Sequence, residues 1–575
     1  MISEFFKDFR NLAFPYWRSD EKWKAGALLA AIIAMNLGMV YIQVRVNEWI
    51  RVFYNVLQSR DKARFLGEIL VFCVLAAAYI AQAVYMLYLS QMLQIRWRKW
   101  LTDKYLKDWL SHQSYYRINF VVPTTDNPDQ RISEDINSYI EQTINLGTNL
   151  LNSVATLFSF LAILWVLSGT LTIPFGTLAA VRLPGYMVWA ALVYSVLGTW
   201  LTIRIGNPLV LLNFNQQRYE ADFRFNMVRV RENSESIALY GGEKQEEGHL
   251  RDRFDILMEN FWKIMRRQKR LSWLTNTYGQ AAVVFPVLMA APAFFAGQMD
   301  LGGLMQTVSA FGAVHGALSY LVNSYTTIAR WHAVIDRLAG FSGTMDRLQS
   351  PEFLRGAERI LTGGKEMKID SLSVSLPGDK LLVRNLKLNI APGTHLLITG
   401  PSGCGKSTLI RALAGIWPYC RGTVSLPDLS SMMFLPQKPY LPLGTLHDAL
   451  CYPRSDGHTP EELEKVLEEC GLKHLAPLLG KDENWSHVLS VGEQQRLAFA
   501  RVLLGKPDFV FLDEATASVD EKSEADLYEL LKRSLPHSAV TSVGHRGTLF
   551  AWHSERLKFE GDANWVESSP AGEGN

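Results

Sequence analysis

Cysteine and net charge are both scarce in this chain of 575 residues. Its five cysteines form no CxxC pair and no Cys/His cluster, which excludes the spacings of zinc sites and of disulfide frameworks and is ordinary for a reducing cytosol. The formal net charge is only +2, so the composition does not indicate nucleic acid as a partner. Residues 1–24 lack the short apolar core and small-residue cleavage site of a signal peptide, and we expect none.

The chain does have a series of long uncharged runs before residue 340, whereas the part after residue 355 has the composition of a soluble α/β domain. A helix needs about 20 apolar residues to cross a bilayer. We therefore predict a membrane domain over residues 1–354 and a second domain over residues 355–575. Six predicted spans cover about residues 26–44, 69–95, 148–170, 183–203, 271–299 and 301–329. So many runs in one half of the chain argue against the alternative, helices buried in a large soluble protein.

The distribution of lysine and arginine predicts the orientation of these spans. Residues 96–141 and 204–270 are rich in both, whereas the opposite connections are short and poorer, even though the first contains four basic residues. The positive-inside rule then places both termini and both long segments in the cytoplasm. Charges and aromatic residues recur at helical spacing in these segments. This pattern predicts membrane helices that extend into the cytoplasm rather than a separate soluble insertion.

A phosphate-binding loop is the most specific motif in the sequence. The stretch GPSGCGKST at residues 400–408 follows an apolar strand pattern and precedes a helical one, which is the context that GxxxxGK[ST] requires. Lys406 is expected to reach the β- and γ-phosphates, and the Ser407 hydroxyl to hold Mg²⁺. Cys404 is interpreted as a tolerated small residue. The predicted nucleotide-binding residues of this P-loop are Gly400, Pro401, Ser402, Gly403, Cys404, Gly405, Lys406, Ser407 and Thr408.

A second apolar strand pattern, at residues 509–512, leads to Asp513 and Glu514. A strand that delivers a carboxylate to its carboxyl end suits a Mg²⁺ position, and we assign that position to Asp513. Glu514 is then placed to polarise the attacking water, which makes it the predicted catalytic base. The position of this pattern about a hundred residues after the P-loop strengthens the prediction.

The stretch LSVGEQQR at residues 489–496 resembles the signature of the ABC ATPases. Other pieces follow the order of that family, since Gln437 resembles its Q-loop, Asp520 its D-loop and His545 its switch histidine. The resemblance implies that His545 is catalytic and that Gln437 contacts both the nucleotide and the metal. It implies further nucleotide contacts from Ser490, Gly492, Glu493 and Asp520.

Three positions depart from the pattern of that family. Val491 and Glu493 stand where the consensus has glycine and glutamine. Leu376 stands where the family usually has an aromatic residue that stacks on adenine. We expect phosphate contacts to survive, because Ser490 and Gly492 remain.

Two stretches of the N-terminal half resemble one branch of the ABC transporters. Residues 125–132 (TDNPDQRI), followed by Glu134 and Asp135, are similar to a motif of SbmA/BacA-type peptide transporters and YddA-type half-transporters. Residues 232–242 (ENSESIALYGG) resemble a loop of the peroxisomal fatty-acyl transporters. Peptides, corrinoids and fatty acyl groups are the cargoes that this resemblance implies, and both cargo and direction stay open. His315 is either a proton-relay or cargo group, or a neutral residue that bonds a neighbouring helix.

The expected fold is a multi-domain membrane protein with six transmembrane helices, long cytoplasmic extensions and a P-loop α/β ABC ATPase domain that has a helical insertion around residues 459–485. The resemblance implies a transport ATPase in the bacterial inner membrane that uses ATP and Mg²⁺. It also implies a dimer, because in this family the P-loop of one chain meets the signature of another. A homodimer is the simplest interpretation. An ATP-gated channel or sensor, and a proton-coupled peptide transporter in which ATP is regulatory, stay open as alternatives.

Overall fold

The computed structural model describes residues 2–121, 127–175, 179–350, 358–361, 366–426, 429–454 and 457–568. They divide into two compact units. The first contains the described residues up to Leu106 and those from Asn127 to Ser342, and the second contains those of Lys107–Asp126 and Gly343–Asn575. A short piece of the first predicted cytoplasmic segment therefore belongs to the C-terminal unit.

Helices account for most of the N-terminal half. In chain order they are α1 (Ile2–Trp17), α2 (Lys22–Gln58), α3 (Lys62–Leu110), α4 (Ser114–Val121), α5 (Pro128–Gln130), α6 (Ile136–Ser168), α7 (Tyr186–Glu232), α8 (Ser234–Tyr240), α9 (Glu243–Phe295), α10 (Leu301–Asn323) and α11 (Tyr325–Leu348). A π-helical turn, Arg131–Asp135, joins α5 to α6. Among the described residues, five continuous helical stretches are long and apolar enough to cross a membrane, namely Lys22–Gln58, Lys62–Phe120, Pro128–Ser168, Tyr186–Glu232 and Glu243–Phe295.

Three of the predicted spans were too long at their ends. The helix of the third apolar run ends at Ser168, because Gly169 adopts a positive φ of 59°. The chain then forms a hairpin of β1 (Thr170–Phe175) and β2 (Ala179–Pro184). Residues 169–170 and 183–184 are therefore not helical, contrary to the predicted spans 148–170 and 183–203. The predicted span 271–299 likewise overran its helix, which ends at Phe295.

The sixth predicted span, residues 301–329, is not confirmed. Its region contains the end of α10 at Asn323 and the start of α11 at Tyr325, and α10 does not join the five stretches that qualify by length and composition. Polar residues such as Gln306, Thr307 and His315 lower its hydropathy. They lie in a helix that packs against α2, α6, α7 and α9, where neighbouring helices rather than lipid surround much of the surface.

Two sheets form the framework of the C-terminal unit. The six-stranded sheet has the order β14 (Asn564–Ser568), β13 (Glu555–Gly561), β6 (His395–Thr399), β12 (Ala539–Val543), β11 (Phe509–Asp513) and β8 (Met432–Leu435). All pairs in it are parallel except β13 with β14. The second sheet has the order β3 (Glu358–Leu361), β7 (Cys420–Leu426), β4 (Met367–Ser375) and β5 (Leu381–Ile390). Two short strands, β9 (Gly444–Thr445) and β10 (Asp482–Glu483), form a separate antiparallel pair.

The central strands are covered on both faces of the sheet, and β11 is apolar from Phe509 to Leu512 for that reason. Along β11, Phe509 and Phe511 enter one hydrophobic core, whereas Val510 and Leu512 enter another. Strands buried on both faces are typically continuous hydrophobic runs. This arrangement explains why the strand patterns were visible in the sequence.

The predicted helical insertion is present in this unit. It contains α14 (Pro460–Glu469), a 3₁₀ helix at Lys473–Leu478 and α15 (Trp485–Val488). A capping box between Thr459 and Glu462 begins the first of these helices, since the two residues satisfy backbone N–H groups reciprocally. The remaining helices of the unit are α12 (Lys406–Leu413), α13 (Leu446–Cys451), α16 (Val491–Gly505) and α17 (Glu521–Ser534).

Candidate functional site

Four neighbouring parallel strands deliver the predicted site residues to one edge of the six-stranded sheet. The P-loop follows β6, while His545 follows β12, Asp513 ends β11 and Gln437 follows β8. The carboxyl ends of parallel strands meet at the same edge of a sheet, where such folds bind their ligands. Residues that are more than a hundred positions apart in the sequence are thereby brought together.

Lys406 holds the P-loop closed. Its ammonium group is buried and donates hydrogen bonds to the carbonyl oxygens of Gly400, at 2.8 Å, and Pro401, at 2.9 Å. Pro401, Ser402 and Gly403 are exposed at the tip of the loop. These two hydrogen bonds fix the shape of the loop and place its positive charge at the start of a helix, where anions bind well.

Two glycines of the loop are required by close packing. Gly400 has φ 146°, and a Cβ there would lie 2.7 Å from the Cβ and the carbonyl oxygen of Phe559. Gly405 has φ 105°, and a Cβ there would lie 2.9 Å from the Cβ of Leu382. Any side chain at either position would add both steric overlap and an unfavourable backbone conformation. Cys404 is partly buried, and its Sγ lies 4.0 Å from Lys406 Nζ.

Ser407 and Asp513 form a pair of oxygen groups in the position predicted for the metal. The Ser407 hydroxyl donates to Asp513 Oδ1 at 2.8 Å. Burial raises the pKa of Asp513 above its usual value, although the hydrogen bond from Ser407 acts in the opposite direction. Oxygen donors of this kind fit Mg²⁺, which is usually bound by one or two protein groups together with substrate phosphates. Among the described residues no group of three or more His, Cys, Asp or Glu side chains is arranged to hold a metal.

Glu514 lies between two of the residues that the sequence assigned to the site. Gln437 Nε2 donates to Glu514 Oε2 at 3.0 Å, and His545 Nε2 lies 3.6 Å from Glu514 Oε1. The backbone of Glu514 has φ 50°, and its N–H donates to the carbonyl oxygen of Val543 at 3.1 Å. A left-handed conformation is unfavourable for a residue with a Cβ, so the contacts around it fix an orientation that the chain would not adopt alone.

Sequence reasoning missed two residues that connect the loops of the site. Gln495 is buried, and its side chain donates to Gln437 O at 3.0 Å and accepts from Ser518 N at 2.9 Å. Arg546 donates to the carbonyl oxygens of Val519, at 2.7 Å, and Ala517, at 2.9 Å. Both contribute by bonding backbone groups of distant loops, and a sequence motif of the site residues alone does not reveal such contacts.

The signature segment begins a helix and is capped by its own residues. Ser490 Oγ and the Ser490 N–H both donate to Glu493 Oε2, at 2.7 and 2.9 Å. His474 Nε2 lies 2.9 Å from the other carboxylate oxygen of Glu493. A Cβ on Gly492 would lie 3.0 Å from the carbonyl oxygen of Ser518, so this glycine permits close approach of the predicted D-loop.

Asp520 is the N-cap residue of α17 and accepts a hydrogen bond from Ser523 N at 3.0 Å. This backbone hydrogen bond lowers the pKa of Asp520. The structure therefore gives Asp520 a capping role, and its predicted contact with nucleotide stays a prediction.

The region around Leu376 is packed by a short helix from the N-terminal half. Leu376 lies beside a hydrophobic core in which Trp417 is buried, and the Trp417 indole N–H donates to Ser375 O at 2.8 Å. Phe120 of α4 contacts Trp417 edge-on, with 5.0 Å between ring centroids. Arg117 of the same helix donates to Gly415 O at 3.1 Å. Trp417 is thus held by protein contacts, and the prediction that Leu376 replaces the usual adenine-stacking ring stays a prediction.

A cavity of about 490 Å³ borders the P-loop beside Gly400, Pro401 and His545. Arg556 and Lys558, on β13, are also in its lining. The sequence analysis did not identify these two basic residues, because they belong to a strand that follows the last of the motifs. Their charge makes this part of the sheet edge favourable for an anion.

His315 packs inside the helical unit rather than in the ATPase unit. Its ring centroid lies 5.6 Å from that of Tyr194 and 5.2 Å from that of Tyr278. Its Nε2 lies 3.5 Å from Ser319 Oγ. The structure therefore surrounds His315 with aromatic and hydroxyl groups, and both interpretations given for it above stay open.

Two protein families match this chain, one in its N-terminal half and one in its C-terminal half. Residues 10–295 match the family described as ABC transporter transmembrane region 2, and residues 383–517 match the family described as ABC transporter. The inner membrane ABC transporter ATP-binding protein YddA of Escherichia coli K12 is 34% identical over 92% of this chain and 93% of its own.

Two further proteins resemble the chain along nearly its whole length. The human lysosomal cobalamin transporter ABCD4 is 28% identical over 96% of this chain and 94% of its own. A solved structure of a bacterial Atm1-family ABC exporter with ATP bound has a TM-score of 0.74, covers 95% of each chain and is 18% identical; it supports the fold. With the P-loop, the signature and the helical N-terminal region all present, the chain belongs to the ABC transporter family and is an ATP-binding half-transporter whose ATPase is coupled to transport.

Proposed function

We propose that the transporter works as a homodimer in which each ATP lies between the P-loop of one copy and the signature of the other. One observation carries the proposal: each chain has one P-loop and one signature, and among the described residues no hydrogen bond joins residues 400–408 to residues 489–493. The signature residues Ser490 and Val491 are exposed. Half-transporters of this family function as dimers, and a second copy is the simplest source of the missing half of each site.

The residues of one copy then have separate tasks. The P-loop N–H groups and Lys406 would bind the phosphates, and Ser407 and Asp513, assisted by Gln437, are the residues that would hold Mg²⁺. When bound, Mg²⁺ neutralises part of the charge on the β- and γ-phosphates. Glu514 accepts a hydrogen bond from the attacking water and orients it.

His545 completes this arrangement from the neighbouring strand. The imidazole lies 3.6 Å from Glu514, so it is placed to donate a hydrogen bond to the carboxylate or to the γ-phosphate oxygen next to it. Gln437 also contacts Glu514, at 3.0 Å, and arrival of nucleotide and metal would compete for that amide. We propose that loss of the hydrogen bond between Gln437 and Glu514 couples the binding of nucleotide to the rest of the Q-loop.

Movement of the P-loop helix is transmitted through α4. The carbonyl of Gly415 at the end of that helix accepts the hydrogen bond from Arg117, and Phe120 packs on Trp417 just beyond it. α4 follows α3, which contains the second candidate membrane span, after only three residues, 111–113. A displacement at the nucleotide therefore has a direct covalent path to a membrane helix.

We further propose that the transporter lies in the bacterial inner membrane with both termini in the cytoplasm. The lysine and arginine distribution supports this orientation, and the similar YddA protein is an inner membrane protein by name. The cargo is proposed to be a peptide, a corrinoid or a fatty acyl compound. The corrinoid possibility has support from the similar human protein, which is named for cobalamin transport.

Forced heterodimers test the shared site. Ser490→Arg removes the signature function and Lys406→Ala removes a phosphate contact. A mixed dimer of these variants contains one site with both defects and one site with neither. We expect each variant alone to be nearly inactive and the mixed dimer to regain roughly half of the wild-type ATPase rate, measured in detergent after purification with two affinity tags. No recovery in mixed dimers that still bind ATP would contradict the proposal.

The control combines both substitutions in one copy and pairs it with a wild-type copy. Each site of that dimer then carries one defect, so it should remain inactive although it contains the same two substitutions. Glu514→Gln in both copies provides the second control. It should abolish turnover while ATP binding, measured with a labelled nucleotide, persists, because an amide cannot accept the proton of the attacking water.

A further inference from the structure

A cavity of about 1080 Å³ lies in the helical unit between α1 and the helices α2, α3 and α6. This volume is slightly above the range of about 300–1,000 Å³ that is usual for small-molecule pockets. Phe9 and Trp17 line it from α1, Ile32 from α2, Trp97 from α3 and Leu151 from α6. The wall is therefore built mainly from aromatic and aliphatic side chains of four different helices, as expected for a site that receives hydrocarbon.

The position of α1 places this cavity at a membrane boundary. α1 ends at Trp17 and the first candidate span begins at Lys22, so only a short turn separates them. α1 also exposes Phe6 and Phe14. A helix with apolar residues on its exposed side, directly before a span, lies at the interface between headgroups and acyl chains.

Two basic residues form the polar part of the lining. Lys7 and Arg10 are exposed, both line the cavity, and they are three residues apart on one helix. Residues at that spacing share a helix face. No carboxylate lines the cavity, and neither cation has an ion pair within the described part of the chain. The lining thus carries positive charge at one place only, which suits one anionic group.

A buried polar group lies in the wall below these cations. Trp97 is 2% exposed, and its indole N–H has no hydrogen-bond partner among the described residues. Tyr16 stacks on Trp97 at 5.4 Å and Tyr139 meets it edge-on at 5.6 Å, so the ring is fixed. A buried donor without a partner is unfavourable. The Nε1 atom itself is inaccessible, so Trp97 contributes its ring to the apolar wall and not a hydrogen-bond donor.

We propose that this cavity binds one membrane phospholipid with an anionic headgroup. Its acyl chains lie among the apolar side chains, and its phosphate lies beside Lys7 and Arg10. The apolar wall favours such an amphiphile over a free inorganic anion, while the paired cations favour an anionic headgroup over a zwitterionic one. The site does not depend on the nucleotide, the dimer or the cargo.

Gly147 offers a direct way to fill the cavity. It lines the pocket, and a Cβ built on it meets no atom within 4 Å. Gly147→Leu therefore extends into the space without a clash at the first added atom. Gly26 on α2 is a matched control, because its Cβ also meets nothing within 4 Å and it does not line the cavity.

Native mass spectrometry of the intact chain tests the proposal. The protein is purified in detergent and exposed to equal amounts of phosphatidylglycerol and phosphatidylcholine with identical acyl chains. We expect wild type to retain one phosphatidylglycerol per chain, preferred about tenfold or more over phosphatidylcholine because two cations contribute. Gly147→Leu should lose most of the retained lipid, and Gly26→Leu should retain it.

Charge variants provide a second test that leaves the apolar wall unchanged. Lys7→Gln with Arg10→Gln should remove the preference for phosphatidylglycerol, whereas Lys22→Gln with Lys24→Gln, which changes net charge equally, should preserve it. Equal retention of both lipids by wild type would overturn the proposal, as would full retention by Gly147→Leu. Retention of added oleate in place of phosphatidylglycerol would assign the cavity to a free fatty acid and overturn the phospholipid assignment.

Discussion

Glu493 puts a carboxylate at the start of the signature helix, where the family consensus has glutamine. Burial raises the pKa of Glu493, but hydrogen bonds from Ser490 and the neighbouring His474 outweigh that effect and leave the pKa below its usual value. The group is therefore ionised at neutral pH. In the proposed dimer this charge faces the γ-phosphate of ATP bound by the other copy, and like charges repel across a short distance.

Glu493→Gln should therefore improve ATP binding. Glutamine preserves the capping box with Ser490 and removes the negative charge, so we expect the KM for ATP to fall about threefold to tenfold. The measurement is the steady-state ATPase rate of the purified transporter against ATP concentration.

His474→Ala serves as the control for this charge effect. The His474 imidazole lies 2.9 Å from Glu493, and its removal should raise the KM in wild type but have little effect in the Glu493→Gln background. A KM that is the same in wild type and Glu493→Gln would show that the carboxylate does not oppose nucleotide.

His553 makes the stability of the ATPase unit dependent on pH. Burial lowers its pKa from 6.5 to about 4, while Nδ1 donates to Leu549 O at 2.7 Å and Nε2 accepts from Ser542 Oγ at 2.8 Å. The unfolded chain therefore takes up a proton as pH falls below about 6.5, and the folded chain does so only near pH 4. Stability is fully present above about pH 6.5 and is lost as pH falls toward 4.

We expect the free energy of unfolding to fall by about 2 kcal/mol between pH 7 and pH 5 because of His553. Thermal unfolding of the intact protein at the two pH values measures the effect as a fall in Tm. His553→Gln should lower Tm at pH 7 and reduce its fall toward pH 5. The exposed His537 is the matched control, and His537→Gln should preserve the wild-type pH dependence.

At the scale of elements, an ion cluster joins the start of the third membrane helix to α11. Asp135 accepts from Arg131 at 2.8 Å and from the guanidinium of Arg337 at 2.6 and 2.9 Å. Asp135 and Arg131 are buried. This contact gives a structural reason for Asp135 in the motif around residues 125–135, of which residues 125–126 lie outside the described structure.

Removing Asp135 should destabilise the helical unit. Asp135→Ala leaves Arg131 buried without this carboxylate, and breaking a buried ion pair on one side typically costs about 3–5 kcal/mol. We expect a clear fall in Tm, measured by thermal unfolding in detergent. Glu134→Ala removes an exposed carboxylate from the adjacent position and should change Tm little; equal effects of the two substitutions would contradict the assigned role of Asp135.

The elements that sequence reasoning identified correctly are those with both a long pattern and a boundary signal. β6 and β11 are continuous apolar strands followed by a glycine-rich loop and by two carboxylates. The hairpin of β1 and β2 was missed because its apolar residues continue the composition of the preceding span. The glycine at position 169 and the prolines at 174 and 184 were the available signals.

For the site, motif spacing predicted which residues meet but not what keeps them in place. Glu514 and Gln437 were assigned from their order along the chain, and the structure puts them 3.0 Å apart. Gln495 lies within the signature stretch at residues 489–496, but the motif alone does not indicate which groups its side chain bonds. Its importance comes from the two backbone groups that it bonds, and these depend on the folded sheet.

At the scale of the whole molecule, the longest α-helix among the described residues, α9, is much longer than a bilayer is thick. α9 has 53 residues, and a rise of about 1.5 Å per residue makes it about 80 Å long. A bilayer core about 30 Å thick covers less than half of that length. The basic residues Arg266 and Arg270 lie within this helix, so the positive-inside rule assigns its first part to the cytoplasm.

Labelling of single cysteines tests this orientation. In a chain whose native cysteines are replaced by serine, we expect Gln298→Cys to react with a membrane-impermeant maleimide in intact spheroplasts. Lys244→Cys, at the other end of α9, should react only after permeabilisation. Both positions are exposed in the structure, so burial does not explain a difference. Labelling of Lys244→Cys from outside would reverse the proposed topology.

The contact between Arg117 and Gly415 joins residues that are 298 positions apart. This separation delays the formation of the contact during synthesis of the chain. A ribosome adds about 5–20 residues per second, so about 15–60 s pass between synthesis of α4 and synthesis of the helix end on which it packs. Membrane insertion of the intervening helices takes place during that interval. The ATPase unit therefore becomes complete only after most of the chain has been translated, and a nascent chain that stalls before residue 415 leaves Phe120 without Trp417 and Tyr419.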